Sequence, residues 1–243
     1  MSVRDAIATP AGKAPYVRHL FGTIADRYDL VTVLLSYGQD ARWKRRLVGM
    51  AQPVAGRRSL DLACGTGDIA FLLAHAGAEV VGLDLTERMI RLARAKTPEP
   101  GAEPTARTRF LVGDMGALPF GDGRFDLVTT GYGLRNVPDL PGALAEIRRV
   151  LRPDGLLLSL DFNRPRQRLV RGAYHAYLTL AGSALGLALH GDPDTYRYIP
   201  ESIRLYPGAD AVVGLLAEAG FDGARWWPVF GGLMAIHEAR VPK

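Results

Sequence analysis

The chain has 243 residues, of which 48% are hydrophobic and 23% are charged, and its formal net charge is +5. This ordinary globular composition provides for a sizeable core, and the single cysteine, Cys64, excludes an intramolecular disulfide. The basic excess does not predict a nucleic-acid partner, because clusters such as "RWKRR" (42–46) have no interleaved aromatic series.

The first residues contain no apolar signal core, and no apolar stretch reaches the ~18 residues of a membrane-spanning helix. The nearest approach, "YLTLAGSALGLAL" (177–189), is too short. We therefore expect a cytoplasmic protein, which also suits a chain with one unpaired cysteine.

The predicted elements begin with a helical extension over residues 16–51, where apolar and polar residues recur at spacings of three and four. After a breaker-rich link, strands alternate with helices. The predicted strands are 58–64, 78–85, 106–114, 125–130 and 156–162, and the predicted turn-and-helix segments are 65–77, 86–97 and 140–155. This alternation predicts an α/β fold with a mostly parallel sheet and helices on both faces.

Residues 163–206 interrupt the alternation and are predicted to form an inserted helical cap, since they are rich in Tyr, Arg and Gly. A further helix is predicted over 207–221. The segments 224–230 and 233–240 are predicted to close the sheet as a terminal β-hairpin. We therefore expect residues 1–243 to form a single domain with helical additions.

The segment "LDLACGTGD" (60–68) joins the first predicted strand to its helix. Gly65 and Gly67 allow the backbone to approach a ligand closely, and Asp84, nineteen residues after Gly65, can bond to ribose hydroxyls. "GTGDIA" also satisfies the G-x-G-x-x-G/A pattern of dinucleotide sites, so an NAD(P)-dependent reductase is an alternative. A tight turn without a ligand is the other alternative.

Three features favour S-adenosylmethionine over a dinucleotide. Asp61 stands at the end of the first strand, where dinucleotide-binding strands usually stay apolar. Asp114 and Met115 follow the third strand, where an acid can accept from the adenine amino group and a methionine can cover its face. The sheet is also predicted to end in a hairpin and not in a second mononucleotide-binding half.

Five segments together resemble the ubiquinone/menaquinone biosynthesis C-methyltransferases. They are "FGTIADRYDL", "SYGQDARWKRRL", "LDLACGTGD", "GDMGALPFGDGRFDLVTTGYGLRNVPD" and "YRYIPESIRLYPGADAVVGLLAEAGF". The resemblance covers roughly residues 16–240, and "GLRNV" and "YRYIPESI" are its most specific parts. It implies a class I methyltransferase, Rossmann-like with a seven-stranded sheet, and S-adenosylmethionine as the methyl donor.

The resemblance also implies which residues contact the cofactor. These are Thr66 in the glycine turn, Asp84 with its neighbour Leu85, Asp114, Met115 and Gly131, in addition to Asp61, Gly65 and Gly67. The chain departs from the family pattern at two places. Gly131 stands where family members often have serine, and Val31-Thr32 where they usually have Met-Asn.

The implied substrate is a polyprenylated hydroquinone, whose ring carbon becomes nucleophilic when a phenolic proton is lost. A free phenol has a pKa of roughly 10, so its ionisation at neutral pH needs a nearby positive charge. Arg135 and Asn136 follow the buried strand "FDLVTT", and we expect them to stabilise the phenolate, with Tyr28 reaching over the site. The alternatives are a salt bridge from Arg135 to Asp139 or Glu146 and a turn role for Asn136.

The general base is left open among a water held by Arg135, a tyrosine and the less favoured His19 and His175. Asp161 can orient the ring or a water, or can cap a turn. No histidine, cysteine and carboxylate spacing predicts a metal site.

The function predicted from these features is methylation of demethylmenaquinol to menaquinol, with the benzoquinol intermediate of ubiquinone synthesis as the alternative. A non-catalytic quinone- or lipid-binding scaffold is a third hypothesis. The basic run "RPRQRLVR" (164–171) precedes an apolar stretch, so we expect peripheral association with the inner face of the cell membrane, or else a helix lining a tail tunnel. A homodimer is a further expectation.

Overall fold

The computed structural model describes residues 3–97 and 108–243, and its centre is a seven-stranded sheet in the order β3-β2-β1-β4-β5-β7-β6. The strands are β1 (Arg58–Leu62), β2 (Glu79–Asp84), β3 (Thr108–Val112), β4 (Phe125–Gly131), β5 (Leu151–Phe162), β6 (Asp222–Val229) and β7 (Met234–Arg240). The first five run parallel and β7 is antiparallel to β5 and β6. The predicted sheet with its terminal hairpin is confirmed.

Helices precede, connect and interrupt these strands. They are α1 (Val3–Ala6), α2 (Pro10–Ile24), α3 (Tyr28–Leu35), α4 (Asp40–Met50), α5 (Asp68–His75), α6 (Glu87–Lys96), α7 (Leu140–Val150), α8 (Arg168–His190), α9 (Tyr198–Leu205) and α10 (Ala209–Glu218). Helical structure therefore starts earlier than the predicted residue 16, and two helices occupy the segment 163–206. Residues 106 and 107 of the third predicted strand lie outside the described residues.

The predicted boundary between α7 and β5 was wrong. The helix expected over 140–155 ends at Val150, and β5 begins at Leu151 instead of residue 156. Asp154 adopts a φ of +60°, so the Pro–Asp–Gly sequence bends the strand near its start instead of ending a helix. The pairing of β4 with β5 shifts its register at the same place.

The buried side chains explain why the helices cover both faces of the sheet. Leu47 of α4 and Leu73 of α5 belong to a cluster on one face, whereas Leu144 of α7 and Leu216 of α10 belong to a cluster on the other. A third cluster joins the N-terminal helices to the inserted segment through Tyr196 and Tyr198. This third cluster lies beside the ends of the strands that carry the predicted site.

No helix in the described residues combines the length and the hydropathy that a crossing of the membrane requires.

The fold buries one histidine completely. His237 of β7 has no exposed surface, and its Nε2 lies 3.2 Å from the carbonyl oxygen of Ala209. Burial lowers the pKa of His237 from 6.5 to about 4.

We predict that His237 makes the fold sensitive to acid. The unfolded chain binds this proton near pH 6.5 and the folded chain only near pH 4, so the stabilisation is present above about pH 6.5 and is lost as the pH falls through the folded pKa. The loss should approach roughly 3 kcal/mol. Urea unfolding of the native chain and of His237→Gln, compared at pH values across that window, measures the difference. Identical pH slopes in the two proteins would contradict it.

Candidate active site

A cavity of about 90 Å³ lies where the predicted cofactor residues end their strands. Its lining includes eight of the predicted site residues, namely Tyr28, Gly65, Asp84, Leu85, Asp114, Met115, Gly131 and Asn136. Except for Tyr28 of α3, these residues follow or end the strands β1 to β4 at their carboxyl ends, where ligands bind in open α/β sheets. We call this space the cofactor cavity.

The other three predicted cofactor residues do not line the cofactor cavity. Asp61 and Thr66 line a small adjoining cavity of about 20 Å³, and the Thr66 hydroxyl donates to Asp29 at 2.6 Å. Gly67 lines neither cavity. It has a φ of +94°, and a Cβ there would lie 2.8 Å from the Phe71 ring, so its glycine serves the turn and the packing around it.

Asp84 is buried at the end of β2. Its carboxylate oxygens accept the backbone N–H groups of Gly65 at 2.9 Å and Thr86 at 2.8 Å. Burial raises the pKa of Asp84 above its usual value, while these two amides act in the opposite direction. Because a carboxylate has about four acceptor positions, Asp84 can still accept ribose hydroxyls.

Two further positions suit a nucleoside. The exposed carboxylate of Asp114 accepts one backbone N–H, from Gly116 at 2.8 Å, and the buried Met115 lies next to it. At Gly131 a Cβ would lie 2.7 Å from the Ile69 side chain. Gly131, which stands where family members often have serine, therefore contributes only its backbone to the lining of the cavity.

A larger cavity of about 480 Å³ adjoins the cofactor cavity and is lined mostly by apolar and aromatic side chains. The two cavities share Phe21, Tyr28 and Tyr132 as lining residues. Arg135 is the one charged side chain among the described residues that line the larger space, which we call the apolar cavity. A flat, hydrophobic ligand with one polar end fits such a lining.

Arg135 is buried, with 6% of its surface exposed. Its Nη1 donates to the Tyr132 carbonyl at 3.0 Å and to Asn136 Oδ1 at 3.1 Å, and its guanidinium lies 4.8 Å from the Phe162 ring centre. Its Nε lies 3.7 Å from the buried carboxylate of Asp161 but makes no hydrogen bond within the described residues. The predicted alternative partners, Asp139 and Glu146, are not its partners; Glu146 pairs with Arg149.

Asn136 holds the loop together through both ends of its side-chain amide. Its Nδ2 donates to the Tyr132 carbonyl at 2.8 Å, and its Oδ1 also accepts the Tyr198 hydroxyl at 2.9 Å. Tyr198 belongs to the inserted segment, so this contact places α9 against the Arg135 loop. Burial raises the pKa of Tyr198 above its usual value.

Tyr28 lies between the glycine turn and the apolar cavity. A Cβ at Gly65 would lie 3.7 Å from the Tyr28 ring, and Tyr28 lines both cavities. Burial raises the pKa of Tyr28, which Lys44 and Arg135 partly oppose. The hydroxyl is therefore protonated at neutral pH and can donate a hydrogen bond.

Sequence reasoning missed a buried polar network beside Tyr28. The Tyr132 hydroxyl donates to Asp40 at 2.5 Å, and Lys44 lies 2.5 Å from Asp40 and 2.8 Å from Asp68. Burial alone would lower the pKa of Lys44, but the two carboxylates raise it above its usual value. Tyr132 adopts a φ of +61°, a strained conformation for an aromatic residue, which directs its ring between the two cavities.

A second missed contact covers the cofactor cavity. The ammonium group of Lys13 in α2 donates to the carbonyl oxygens of Arg135 and Val137, each at 2.8 Å. Burial and the neighbouring Arg135 lower the pKa of Lys13 to about 8. Phe21 and Arg18 of the same helix line the cavity, so α2 forms its roof.

Other sequence candidates lie elsewhere. His19 and His175 line two separate surface grooves and neither residue lines either cavity. Asp161 accepts the backbone N–H groups of Arg135 and Phe162. Burial raises the pKa of Asp61 to about 7, although Thr129 donates to it at 2.8 Å.

The sequence of the whole chain is similar to a known family of methyltransferases. The model of the ubiE/COQ5 methyltransferase family matches residues 10–240, and the chain belongs to this family. A demethylmenaquinone methyltransferase of Thermus thermophilus is 43% identical, covering 92% of this chain and 100% of its own. A ubiquinone/menaquinone biosynthesis C-methyltransferase of Dinoroseobacter shibae is 39% identical, covering 93% of this chain and 90% of its own.

Solved structures of low sequence identity share the fold. A methyltransferase from Thermotoga maritima superposes with a TM-score of 0.65 at 18% identity, covering 92% of this chain and 99% of that one. One from Aquifex aeolicus has a TM-score of 0.59 at 16% identity, covering 82% and 89%. The predicted class I fold, the methyltransferase activity and S-adenosylmethionine as donor are confirmed, and the NAD(P)-dependent reductase is not favoured.

We predict that Asp84→Asn weakens S-adenosylmethionine binding by about 10- to 100-fold, because charge-assisted hydrogen bonds contribute about 1.5–3 kcal/mol. Titration calorimetry measures the affinity, and thermal unfolding checks the fold of the variant. Glu87→Gln is the matched control, since Glu87 lies three residues further on, exposed and paired with Arg91. Equal affinities for Asp84→Asn and the native chain would remove Asp84 from the site.

We predict that Asp40→Ala destabilises the fold by about 3 kcal/mol, because Lys44 stays buried with one fewer carboxylate. Asp40→Leu combined with Lys44→Met removes both charges and should recover most of that loss. Asp26→Ala, which breaks the exposed pair with Arg88, serves as control and should cost less than about 1 kcal/mol. Urea unfolding decides between these outcomes, and a double variant no more stable than Asp40→Ala would refute the explanation.

Proposed function

We propose that this chain transfers a methyl group to a ring carbon of a polyprenylated hydroquinone, and that the substrate is demethylmenaquinol. The observation that carries the proposal is the position of Arg135, a buried cation on the wall of an apolar cavity that meets the cofactor cavity. The family relatives named above support the same substrate class, since one is named for demethylmenaquinone and the other for ubiquinone and menaquinone synthesis.

The apolar cavity suits the ring and the first part of a prenyl tail. The phenolic oxygen would lie at Arg135, because a fixed positive charge in a dry site favours the phenolate over the phenol. Phe162 stacks on the guanidinium and Asp161 lies behind it, so the group is held in one orientation. Loss of the proton increases the electron density of the ring carbon beside the oxygen, which is the carbon to be methylated. That carbon would accept the methyl group, whose bonding electrons stay on the sulfur of the donor, and would then lose its own hydrogen as a proton, which restores the aromatic ring.

The cofactor residues fit S-adenosylmethionine, which supplies an electrophilic methyl group when bound. Asp84 would hold the ribose hydroxyls, and Asp114 with Met115 would hold the adenine. Arg18 and Phe21 of α2 line the cofactor cavity, so this helix would cover the bound cofactor. Tyr28, which lies beside the glycine turn, would keep water from the junction of the two cavities.

The tyrosines of the site are donors and not bases. Burial raises the pKa values of Tyr28 and Tyr198, so both keep their protons at neutral pH. We propose that the phenolic proton passes to a water beside Arg135. Asn136 Oδ1 accepts a hydrogen bond from Arg135 Nη1. Asn136 therefore acts through Arg135 and is a positioning residue.

The polyprenyl tail of the proposed substrate places that substrate in the bilayer, so the enzyme must meet it at the membrane. Tyr37 and Phe230 line the apolar cavity and are 63% and 45% exposed, which marks its mouth. We propose a cytoplasmic enzyme, one methyltransferase domain over residues 1–243, that associates peripherally with the membrane around this mouth. A homodimer is a further proposal, which light scattering of the purified protein tests.

The substrate is tested by mass spectrometry of the quinones in cells that lack this protein. Accumulation of demethylmenaquinone supports the proposal, and accumulation of a demethylated benzoquinol intermediate supports the ubiquinone alternative. Unchanged quinones would contradict both.

We predict that Arg135→Ala lowers the methylation rate by roughly 10²–10³, the loss caused by removing one preorganised charge-stabilising donor. Its S-adenosylmethionine affinity should persist, because Arg135 does not line the cofactor cavity. Arg135→Lys should recover part of the rate, since it restores charge without the planar fork. Raising the pH should help the alanine variant more than the native enzyme, because solvent then ionises more of the phenol.

The assay is the initial rate with a short-tailed, chemically reduced demethylmenaquinone at a series of pH values from neutral to alkaline. Arg148→Ala is the matched control, because Arg148 lies on α7 and donates to the Gly220 carbonyl, away from both cavities. A fully active Arg135→Ala enzyme, or one defective only in cofactor binding, would show that the loop is structural.

A further inference from the structure

A groove of about 370 Å³ lies on the surface beside α8, separate from both cavities of the proposed active site. Its lining contains five arginines, which are Arg4, Arg164, Arg168, Arg171 and Arg204. Glu201 is the one acidic residue among the described residues that line it. We call this space the basic groove.

The positive charge of the basic groove is largely uncompensated. Arg4, Arg164 and Arg168 are exposed, and their side chains make no hydrogen bond or ion pair with the residues that the structure describes. Arg204 lies 3.5 Å from Glu201, and Arg171 donates to the Pro165 carbonyl at 3.3 Å. Several guanidinium groups therefore converge on one space with their donors free, an arrangement that binds phosphate oxygens.

Arg166 shows the contrast within the same segment. It does not line the basic groove, and its guanidinium forms an ion pair with Asp210 at 2.7 Å. The four arginines of the basic run "RPRQRLVR" therefore differ in their surroundings, with three in the basic groove and one paired outside it.

Exposed apolar side chains accompany the arginines. Leu169 follows Arg168 and is 89% exposed, and Leu205 lines the basic groove and is 51% exposed. Basic and apolar side chains side by side suit the interface of a membrane, where the apolar groups enter the acyl boundary and the cations meet the phosphates. The exposed leucines would contribute nothing to the binding of a small soluble anion.

The basic groove and the apolar cavity lie on two sides of the same helix. Tyr174 and Leu178 of α8 line both spaces, and Val170 lines the apolar cavity next to Arg171 in the basic groove. A lipid headgroup held in the basic groove would therefore hold α8, which forms part of the wall of the apolar cavity, at the membrane surface.

We propose that the basic groove binds the phosphate headgroup of an anionic phospholipid. This inference rests on the proposed function, since a prenylated substrate must enter from the bilayer, and it adds a lipid site to that function. His175 lines the basic groove but adds no charge at neutral pH, because burial and Arg204 lower its pKa. The binding is therefore carried by the arginines.

The experiment is co-sedimentation with vesicles of phosphatidylcholine, with and without phosphatidylglycerol, and without any quinol. The groove variant is Arg164→Gln with Arg168→Gln, both exposed residues without ion pairs. The matched control is Arg166→Gln with Arg109→Gln, which removes the same charge from exposed positions outside the basic groove. Thermal unfolding checks that both variants are folded.

We expect the native chain to prefer the vesicles with phosphatidylglycerol and the groove variant to bind them about 25-fold more weakly, roughly fivefold for each arginine near an anionic surface. The control should lose much less. Equal losses of vesicle affinity in the two variants would show diffuse electrostatic attraction and no specific site. Unchanged vesicle affinity in both variants would contradict the lipid site. Calorimetric binding of inorganic phosphate without any vesicle binding would overturn the lipid as the ligand.

This outcome is separate from that of the methylation assay. Because the vesicles contain no quinol, a chain that fails to methylate demethylmenaquinol can still show the lipid site. A chain that methylates a short-tailed quinol but does not bind the vesicles would keep its proposed methyltransferase activity and lose both the lipid site and the proposed membrane association.

Discussion

The buried guanidinium of Arg135 is the constraint on which the site depends. A cation removed from water is costly unless carboxylates, carbonyls and aromatic faces replace its hydration. The chain meets this cost with Asp161, the carbonyl of Tyr132, the Asn136 side chain and the Phe162 ring. One Nε–H, 3.7 Å from Asp161, still lacks a hydrogen bond within the described residues, so the replacement of water is incomplete at this atom.

Both helical additions to the sheet contact this loop. Lys13 of the N-terminal extension donates to the Arg135 and Val137 carbonyls, and Tyr198 of the inserted segment donates to Asn136. The sheet alone provides the cofactor residues, whereas the apolar cavity exists only because the additions enclose the space in front of Arg135. The fold therefore separates the general part of the chemistry, methyl donation, from the part that selects a hydrophobic ring.

Local patterns were enough to predict the sheet and to select cofactor candidates of which most line one cavity. Strands of consecutive apolar residues, the glycine turn and the acids at Asp84 and Asp114 all have signals within a few residues of themselves. The buried network of Tyr132, Asp40 and Lys44 has no such signal, because Tyr132 meets Asp40 across 92 positions of sequence. Lys13 is likewise 122 positions from Arg135, and its segment shows only an unremarkable helix.

The predicted roles of individual residues were limited by the same lack of long-range information. The sequence motif made Asn136 a donor to the ring, but its amide is used within the loop and against Tyr198. Gly67 satisfied a ligand-binding pattern, and the Phe71 and Phe110 rings also leave no room there for a side chain. A sequence motif identifies residues that have a role in the site, but only their contacts in the folded structure show what that role is.

The charges of the two cavities are complementary in a way that the chemistry requires. The cofactor cavity carries two carboxylates, Asp84 and Asp114, against one cation, Arg18, and the apolar cavity carries Arg135 alone. A positively charged methyl donor and a negatively charged phenolate each find the opposite charge on their own side, with Tyr28 and Tyr132 forming the shared wall. The Arg135 guanidinium therefore favours the phenolate from a different cavity than the one that would hold the positive charge of the methyl donor. The attraction between the donor and the phenolate acts across the junction of the two cavities, where little water is present and the attraction is stronger than in water.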